Sequence, residues 1–382
     1  MARVVFITQQ VDPGHPALAA TVPKIRALAA LVDEVAVLAD GAVEGVLPPN
    51  CRVRTFGSRT RLGRGATFEV ALARELRGLR GGAVVAHMCP IYAVLAAPIV
   101  RPWRAPVVLW FTHWKASRLL RLAERLSSAV VTVDRRSFPL ESAKVRAIGH
   151  GIDLSEFPCA GAPDDRLQQS VASETEASAQ VPTGSASRSG GAGGVSLQQT
   201  VASSVGFRLL ALGRYSRAKG LEAVLRAVAD VPETRLEVRG PALSDDERAH
   251  REELARLIEK LALGARVRLG DAVPRASVPG LLTETDALVN NMRAGAPDKV
   301  VYEAAASCVP VLASNPVFDT LLAPEQRFDR ESPTELAERI RALAALSPDE
   351  RAALGRSLRE RVRESHSVES WARGVLEAAG IG

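Results

Sequence analysis

The short segment GRYSRAKG (213–220) carries the residue types that a phosphate site needs. A strand-like apolar run leads into it and a helical run follows it. Arg214 therefore stands at the end of the predicted strand and Lys219 at the start of the predicted helix, so both side chains can reach into a cleft beyond the sheet. Fixed cations in a preorganised site stabilise negative charge on a ligand. The segment thus predicts two cations at the edge of the cleft.

A second segment, AGAPDKVVYEAAASCVPV (294–311), predicts a loop, a helix and then a buried strand. Lys299 and Glu303 are four residues apart, so they share one face of that helix. The helix start near Asp298 offers free N–H groups and a partial positive charge, which suit a phosphate. We predict that this helix start and Lys299 bind phosphate, and that Glu303, one turn deeper, accepts both hydroxyls of a ribose.

Each of these residues also has an ordinary structural interpretation. A Lys–Glu pair such as Lys299 and Glu303 is common on exposed helices, where it contributes about 0.2–0.5 kcal/mol. Arg214 is also compatible with a plain strand-end arginine. His113, in the apolar run FTHW, is either a core histidine or a group that faces the cleft, and His87 in AHMCP has the same two interpretations.

The first 157 residues alternate short apolar runs with amphipathic ones, which is the pattern of βαβ units and a parallel sheet. Near-continuous apolar strands indicate burial on both faces. The predicted strands are 4–8, 34–39, 84–88, 107–113, 130–134 and 145–151, with helices over 21–32 and 115–128.

The same alternation resumes after residue 206. It predicts a second parallel sheet with helices around it. The predicted strands are 207–213, 235–240, 266–270, 287–292 and 309–314, and the predicted helices are about 220–230, 246–263, 275–285 and 298–307.

Capping boxes mark two later helix starts, Ser332 with Glu335 and Ser347 with Glu350, each followed by proline. A final helix is predicted for about 368–382, and we expect it to pack back on the N-terminal domain. Two α/β halves facing each other place a cleft between the carboxyl ends of their sheets, where such folds bind ligands.

The chain divides into an N-terminal Rossmann-like domain (1–157), a linker (158–205) and a C-terminal Rossmann-like domain (206–367). The linker is rich in Ser, Gly, Ala and Thr and contains the near-duplicates LQQSVAS and LQQTVAS. Such a composition buries too little apolar surface to offset the entropy of ordering, so we expect it to be flexible.

Together the motifs resemble the donor site of glycosyltransferase family 4, a group of retaining GT-B enzymes. Arg214 and Lys219 match its GR…KG segment, and Glu303 with the following AAASCVPV matches its second glutamate and A-M-A-C-G-x-P-V. IGHGIDLSEF (148–157) is similar to its domain crossover, and FTHW (111–114) falls where the family places a histidine beside the donor sugar. His150 is expected to shape that crossover.

The resemblance implies a GT-B fold, with two Rossmann-like domains across a cleft. It makes 1–157 the acceptor domain and 206–367 the donor-binding domain, with a nucleoside-diphosphate sugar as donor substrate rather than any cofactor. It implies retention of the donor's anomeric configuration and metal-independent transfer to an acceptor hydroxyl. The catalytic residues would be His113, Arg214 and Lys219. The donor-binding residues would be Gly14, Arg214, Lys219, Gly240, Asp298, Lys299, Val300 and Glu303.

The chain departs from the family pattern at three places. Ala296 stands at the position of the first glutamate, Cys308 replaces a glycine, and the loop DPGHP (12–16) has one glycine where many members have two. Some members have an Asp-Lys pair before the helix, as this sequence does at Asp298–Lys299. These departures concern the sugar contacts and leave the sugar, the nucleotide base and the acceptor unspecified.

Composition supports a packed globular protein, with 47% hydrophobic and 24% charged residues. No run of about 18 uncharged apolar residues predicts a membrane span. The N-terminus leads directly into a strand-like segment, so we expect no signal peptide. Four scattered cysteines without a CxxC pair argue against a disulfide framework or a zinc site and favour a reducing cytoplasm. Cys308 is most simply a small buried apolar residue.

Charge is asymmetric, since residues 1–157 carry 21 basic and 12 acidic residues, whereas the rest carries 28 and 31. A basic stretch, Arg52 to Arg64, is predicted to be a loop that is either solvated or in contact with acceptor or anionic membrane through Arg59, Arg61 and Arg64. Nucleic acid is a poor partner because aromatic residues make up only 4%. We expect a cytoplasmic location, with peripheral contact at the inner face of the membrane.

The leading hypothesis is therefore a glycosyltransferase that acts on a glycan, glycolipid or small-molecule acceptor. The alternative is a catalytically degenerate GT-B protein that binds a ligand or partner, which Ala296 and Cys308 would permit. A nicotinamide-dependent oxidoreductase is disfavoured because no GxGxxG follows the first strand.

Overall fold

The computed structural model describes residues 2–15, 18–76, 79, 81–159, 206–295 and 297–381. The predicted linker therefore lies outside the described residues except for its first two positions, and so does Ala296. Within the described ranges the strands form two separate parallel sheets with helices packed around them.

The N-terminal sheet contains β1 (Arg3–Val11), β2 (Glu34–Ala42), β3 (Cys51–Thr55), β4 (Ala83–His87), β5 (Val107–Trp110), β6 (Ala129–Thr132) and β7 (Val145–Ala147). Their order across the sheet is β3-β2-β1-β4-β5-β6-β7, and every neighbouring pair is parallel. This is the doubly wound order of nucleotide-binding domains. The centre of β1 is fully buried, as a strand covered on both faces requires.

The helices of the described N-terminal half are α1 (Thr21–Ala29), α2 (Arg61–Glu75), α3 (Pro90–Val100) and α4 (Arg118–Leu126). Side-chain caps fix the starts of two of them. The hydroxyl of Thr60 accepts from the N–H of Gly63, and that of Ser117 accepts from the N–H of Leu120.

The C-terminal sheet contains β8 (Phe207–Leu212), β9 (Thr234–Arg239), β10 (Val267–Gly270), β11 (Ala287–Asn290) and β12 (Val311–Ala313). Its order, β10-β9-β8-β11-β12, repeats the order of the first five strands of the other sheet, again all parallel. The prediction of two Rossmann-like halves is confirmed.

The helices of the second half are α5 (Leu221–Ala229), α6 (Asp245–Lys260), α7 (Val278–Thr283), α8 (Lys299–Ala306), α9 (Pro333–Ala345), α10 (Pro348–Ser365) and α11 (Val368–Ala378). Ser347 and Glu350 form the predicted capping box at α10. At α9 only half of the predicted box forms, because Glu335 turns its carboxylate to the N–H of Asp329 while Ser332 caps the helix.

The crossover between the halves depends on close backbone packing. Gly149 has φ 79°, and a Cβ there would lie 1.8 Å from the carbonyl oxygen of Ser365. The N–H of Ile152 donates to the carbonyl of His366 at 2.7 Å. Only glycine satisfies both the left-handed conformation and the close approach, so this segment fixes how the last helices join the N-terminal half.

The last helix, α11, packs against α1 of the N-terminal half. Its Trp371 is fully buried, with the ring centroid 5.7 Å from that of Trp110 and 6.4 Å from that of Phe6. These edge-to-face contacts place α11 over the N-terminal sheet.

Three details of the sequence prediction are wrong. The stretch predicted as a basic loop is instead β3 followed, after Arg59, by the start of α2. Its strand is half exposed and polar, so it lacks the apolar pattern that identified the others. The strand predicted to reach residue 113 ends at Trp110, which leaves His113 in a loop. Cys159 and Cys308 form a disulfide, with their Cα atoms 5.0 Å apart.

Wide spacing in sequence did not imply wide spacing in the fold, so the cysteine argument for a reducing compartment falls. Among the described residues, no helix is long and apolar enough to cross a membrane.

Candidate functional site

The carboxyl end of β8 is built around two glycines that let backbone segments approach closely. A Cβ on Gly240 would lie 1.9 Å from the carbonyl oxygen of Gly213. A Cβ on Gly213, which has φ 143°, would lie 2.7 Å from the ammonium nitrogen of Lys219. A side chain at Gly240 would therefore collide with the end of β8, and a side chain at Gly213 would occupy the present position of the Lys219 ammonium.

Lys219 forms an ion pair with Asp298, the residue that precedes α8. The side-chain amide of Asn290 donates to the same carboxylate oxygen at 2.9 Å. Asp298 consequently makes no side-chain cap for α8. The first turn of α8 thus keeps its N–H groups free of a side-chain cap, next to a lysine, which is the arrangement suited to phosphate.

A small cavity lies at this edge of the sheet, and its lining includes Gly213, Arg214, Lys219, Asn290 and Asn291. Both asparagines are buried, and the side-chain oxygen of each has no hydrogen-bond partner in the described part of the chain. Buried polar atoms without partners are costly, so a ligand that donates hydrogen bonds would be stabilised here. The structure brings the predicted Arg214 and Lys219 together; sequence reasoning missed the two asparagines, whose Asn–Asn pair at the end of a predicted strand was the available signal.

Arg214 is more loosely held than Lys219. Its side chain is 57% exposed, and its Nε lies 3.4 Å from a carboxylate oxygen of Glu247 at the start of α6. Glu247 is buried and its other oxygen accepts from the N–H of Leu243. An exposed guanidinium anchored at one point can move toward a ligand at low cost.

Glu303 lies one turn into α8, as the sequence predicted, and its side chain is buried. One oxygen accepts from Lys299 at 2.7 Å and from Arg275 at 2.5 Å. Arg275 also contacts Glu156 of the crossover at 2.9 Å. Sequence reasoning did not find Arg275, because the contact joins residues far apart in the chain and no local spacing predicts it.

Val300, predicted to contact the donor, is buried on α8 beside Lys299. Gly14, also predicted, is exposed in the loop after β1, and its N–H donates to Asp12 at 2.8 Å. Residues 16 and 17 of that loop lie outside the described part. Donor binding by Gly14 and Val300 therefore stays a prediction.

Cys308, where the resembled family has glycine, lies at the far end of α8 from Lys299. Its φ is 57°, in the left-handed region. Its N–H donates to Ala305 and that of Val309 donates to Ala304, the bonds of a Schellman motif. The position thus terminates the helix, which is why glycine suits it, and the substitution affects that turn and not the site.

His113 lies across the cleft, in the loop between β5 and α4. Its Nδ1 accepts from the N–H of Lys115 at 3.0 Å, so Nε2 carries the proton of the neutral ring. Partial burial, together with Lys115, lowers the pKa of His113. The neighbouring Trp114 stacks on Arg293 at 4.2 Å and adjoins Gly295, so this loop touches the loop that leads to α8.

A buried lysine that the sequence did not single out lies near this junction. Lys24 of α1 is 3% exposed, and its ammonium lies 4.7 Å from the ring centroid of Trp110 and 5.3 Å from that of Trp371. Burial, with the charge of Lys299, lowers the pKa of Lys24 to about 7. The sequence signal for its burial was its position four residues before Leu28, on the apolar face of α1.

Histidines surround this lysine. Burial and Lys24 hold the pKa of His87 and of His150 well below the ordinary value, and burial lowers the pKa of His366 to about 4. His150 and His366 both pack on the ring of Tyr302, with centroids 5.4 and 4.4 Å away. His87 and His150 are therefore neutral residues of the domain junction.

The predicted contact residues Arg59, Arg61 and Arg64 do not form one free cluster. Arg64 pairs with Asp40 at 3.2 Å, while Arg59 and Arg61 are exposed at the start of α2. The other arginines of the stretch are paired as well, Arg52 with Glu34 and Arg54 with Glu75.

Among the described residues, no group of three or more His, Cys, Asp or Glu is placed to hold a metal ion.

Comparisons with known proteins agree with this layout. Residues 217–377 match the family model described as glycosyl transferase-like, so the C-terminal half carries a domain of that kind. No curated protein sequence matches the chain.

Solved structures match almost the whole chain at low identity. HepE of Anabaena, solved in complex with UDP, has a TM-score of 0.69 and 19% identity over 99% of both chains. Sucrose-phosphate synthase of Thermosynechococcus elongatus has a TM-score of 0.67 and 16% identity over 99% of this chain and 98% of its own. WaaG, a glycosyltransferase involved in lipopolysaccharide biosynthesis, has a TM-score of 0.58 and 17% identity over 99% of both chains. The predicted GT-B fold is confirmed.

Proposed function

We propose that the protein is a retaining glycosyltransferase of the family 4 type, which moves a sugar from a nucleoside-diphosphate sugar to an acceptor hydroxyl without a metal ion. The observation that carries this proposal is the convergence of Arg214, Lys219 and the uncapped start of α8 on one edge of the C-terminal sheet. The glycosyl transferase-like match over 217–377 supports it.

In this proposal the ion pair of Lys219 and Asp298 opens when the donor binds. The diphosphate takes the place of the carboxylate on Lys219, while Asn290 keeps a hydrogen bond to Asp298. Arg214 then swings from Glu247 to the same phosphates. Both cations face the oxygen on which charge develops as the sugar–phosphate bond breaks, and such groups commonly contribute more to the transition state than to the ground state.

The opposite side of the cleft supplies His113. Because its pKa is lowered, its ring is neutral near pH 7, and its Nε2–H is available to a sugar hydroxyl. A neutral donor orients a sugar without repelling the cations of the diphosphate site. We assign His113 to the donor sugar on this ground.

Uridine diphosphate is the first nucleotide to test, since HepE of Anabaena was solved with UDP, with UDP and glucose, and with UDP-glucose. The acceptor is a glycan, a lipid or a small molecule, and a cytoplasmic location remains our prediction.

The test is a thermal-shift panel of nucleoside diphosphates and nucleotide sugars. A ligand at about 100 times its Kd stabilises the folded state by about 2.7 kcal/mol, which is readily measured. Glu303→Gln should weaken nucleotide binding, whereas the exposed pair Arg226→Ala and Lys260→Ala, in the same domain, should bind normally. No stabilisation by any member of the panel would contradict the proposal.

The degenerate alternative has one observation in its favour. Lys219 and Lys299 each already have a carboxylate partner, as in a site that serves only to hold the structure. The two possibilities separate by activity: a degenerate protein would bind the nucleotide sugar but would neither transfer nor hydrolyse it.

A further inference from the structure

Helix α4 has an exposed apolar row beside an exposed basic row. Leu119, Leu122 and Leu126 are 38%, 44% and 43% exposed. They are spaced by three and four residues, so they share one face. The leucine row has the buried residues of α4 on one side. On its other side lies an exposed basic row with the same spacing, formed by Arg118, Arg121 and Arg125.

The three arginines of α4 differ from Arg52 and Arg54 of β3 and from Arg64 of α2, which are all ion-paired. None of the three makes an ion pair or a side-chain hydrogen bond with any described residue. The acidic side chain on this helix, Glu124, accepts instead from the hydroxyl of Ser142 at 2.6 Å. Lys115, just before the helix, is exposed as well. The face is therefore strongly cationic and uncompensated.

We propose that this α4 face, formed by the three leucines and three arginines, docks on the surface of an anionic lipid membrane. A helix with an apolar row flanked by arginines lies in the interfacial plane, with its leucines at the acyl boundary and its cations at the headgroups. Charge complementarity selects anionic lipid. The leucine row favours a membrane over a nucleic acid, because a membrane has an apolar layer in which the leucines can be buried.

The proposal changes where membrane contact is expected. The sequence pointed to Arg59, Arg61 and Arg64, but Arg64 is paired with Asp40, and all three lie at or just before the start of α2 rather than on α4. Membrane docking through α4 does not require transferase activity, so either property can be absent while the other is present.

The experiment is flotation of the full chain with vesicles of phosphatidylcholine, with and without about one third phosphatidylserine. Each cation at an anionic surface contributes about fivefold to partitioning, so Arg118→Gln, Arg121→Gln, Arg125→Gln is expected to lower binding about a hundredfold. The matched control, Arg59→Gln, Arg61→Gln, Arg64→Gln, should lose much less. Binding of the wild type should fall as salt rises.

A second variant, Leu119→Ser, Leu122→Ser, tests the apolar row. It should bind weakly even at low salt, and circular dichroism should show the wild-type fold, since both positions are exposed. Three results would overturn the proposal. The wild type could bind neutral vesicles as well as anionic ones, or the two arginine variants could lose binding equally. The chain could also form a dimer through α4 and bind no vesicles.

Discussion

Five strands of each sheet follow the same order, but the two halves of the molecule hold a lysine in opposite ways. In the C-terminal half, Lys219 pairs with Asp298 near two open asparagine oxygens. In the N-terminal half, Lys24 is buried between Trp110 and Trp371, and no carboxylate of the described residues pairs with it. The first arrangement can exchange its partner for a ligand, whereas the second is fixed by the fold. The same strand order therefore supports a site in one half and a packed junction in the other.

The largest expected effect concerns Lys24 and its pKa of about 7. Between pH 7 and its ordinary value of 10.5, the unfolded chain binds the proton and the folded chain does not, so stability rises with pH. Between about pH 6.5 and about pH 9.5, the free energy of unfolding of the wild type should rise by about 3 kcal/mol relative to that of Lys24→Met. Urea unfolding of both proteins across pH measures this, and Lys260→Met serves as the exposed control. Parallel pH profiles would show that Lys24 does not titrate in this range.

A smaller effect is expected at Gly240, which lets β8 and β9 end side by side. Gly240→Ala should destabilise the protein by about 1–3 kcal/mol, because its Cβ would meet backbone and not a flexible side chain. Gly264→Ala is the matched control, since a Cβ there meets nothing within 4 Å. Urea unfolding compares the two variants, and equal stabilities would mean that the strand ends are not closely packed.

The smallest effect concerns Cys308, whose left-handed backbone strains any residue with a Cβ. Under reducing conditions, Cys308→Gly should be more stable than Cys308→Ala by about 1 kcal/mol. Both variants lack the disulfide, so their difference reports the backbone alone. An alanine variant as stable as the glycine variant would place the residue outside the left-handed region.

Much of the fold followed from local pattern. The apolar runs VVFI of β1 and LLAL of β8 are continuous. Ser347 precedes a proline and a glutamate at the spacing of a capping box. The pattern failed at β3, whose alternate arginines pair with Glu34 and Glu75 instead of packing in the core.

The placement of the candidate site residues was predicted in part. Arg214 and Lys219 stand where a strand meets a helix, so their proximity followed from topology. Arg275 and the Cys159–Cys308 disulfide did not follow, because each depends on distances between segments far apart in the chain. Burial of Lys24 was missed because lysine on an apolar helix face is ordinarily expected to reach solvent.

The central claim is that Arg214 and Lys219 stabilise a departing nucleoside diphosphate, and turnover of a nucleotide sugar in the double variant Arg214→Ala, Lys219→Ala tests it most directly. Loss of one preorganised donor typically lowers turnover by about 10²–10³, so we expect at least that loss, with a smaller effect on KM, and full wild-type activity in EDTA. The exposed pair Arg226→Ala, Lys260→Ala should keep wild-type turnover. Unchanged turnover in the Arg214→Ala, Lys219→Ala protein would contradict the account.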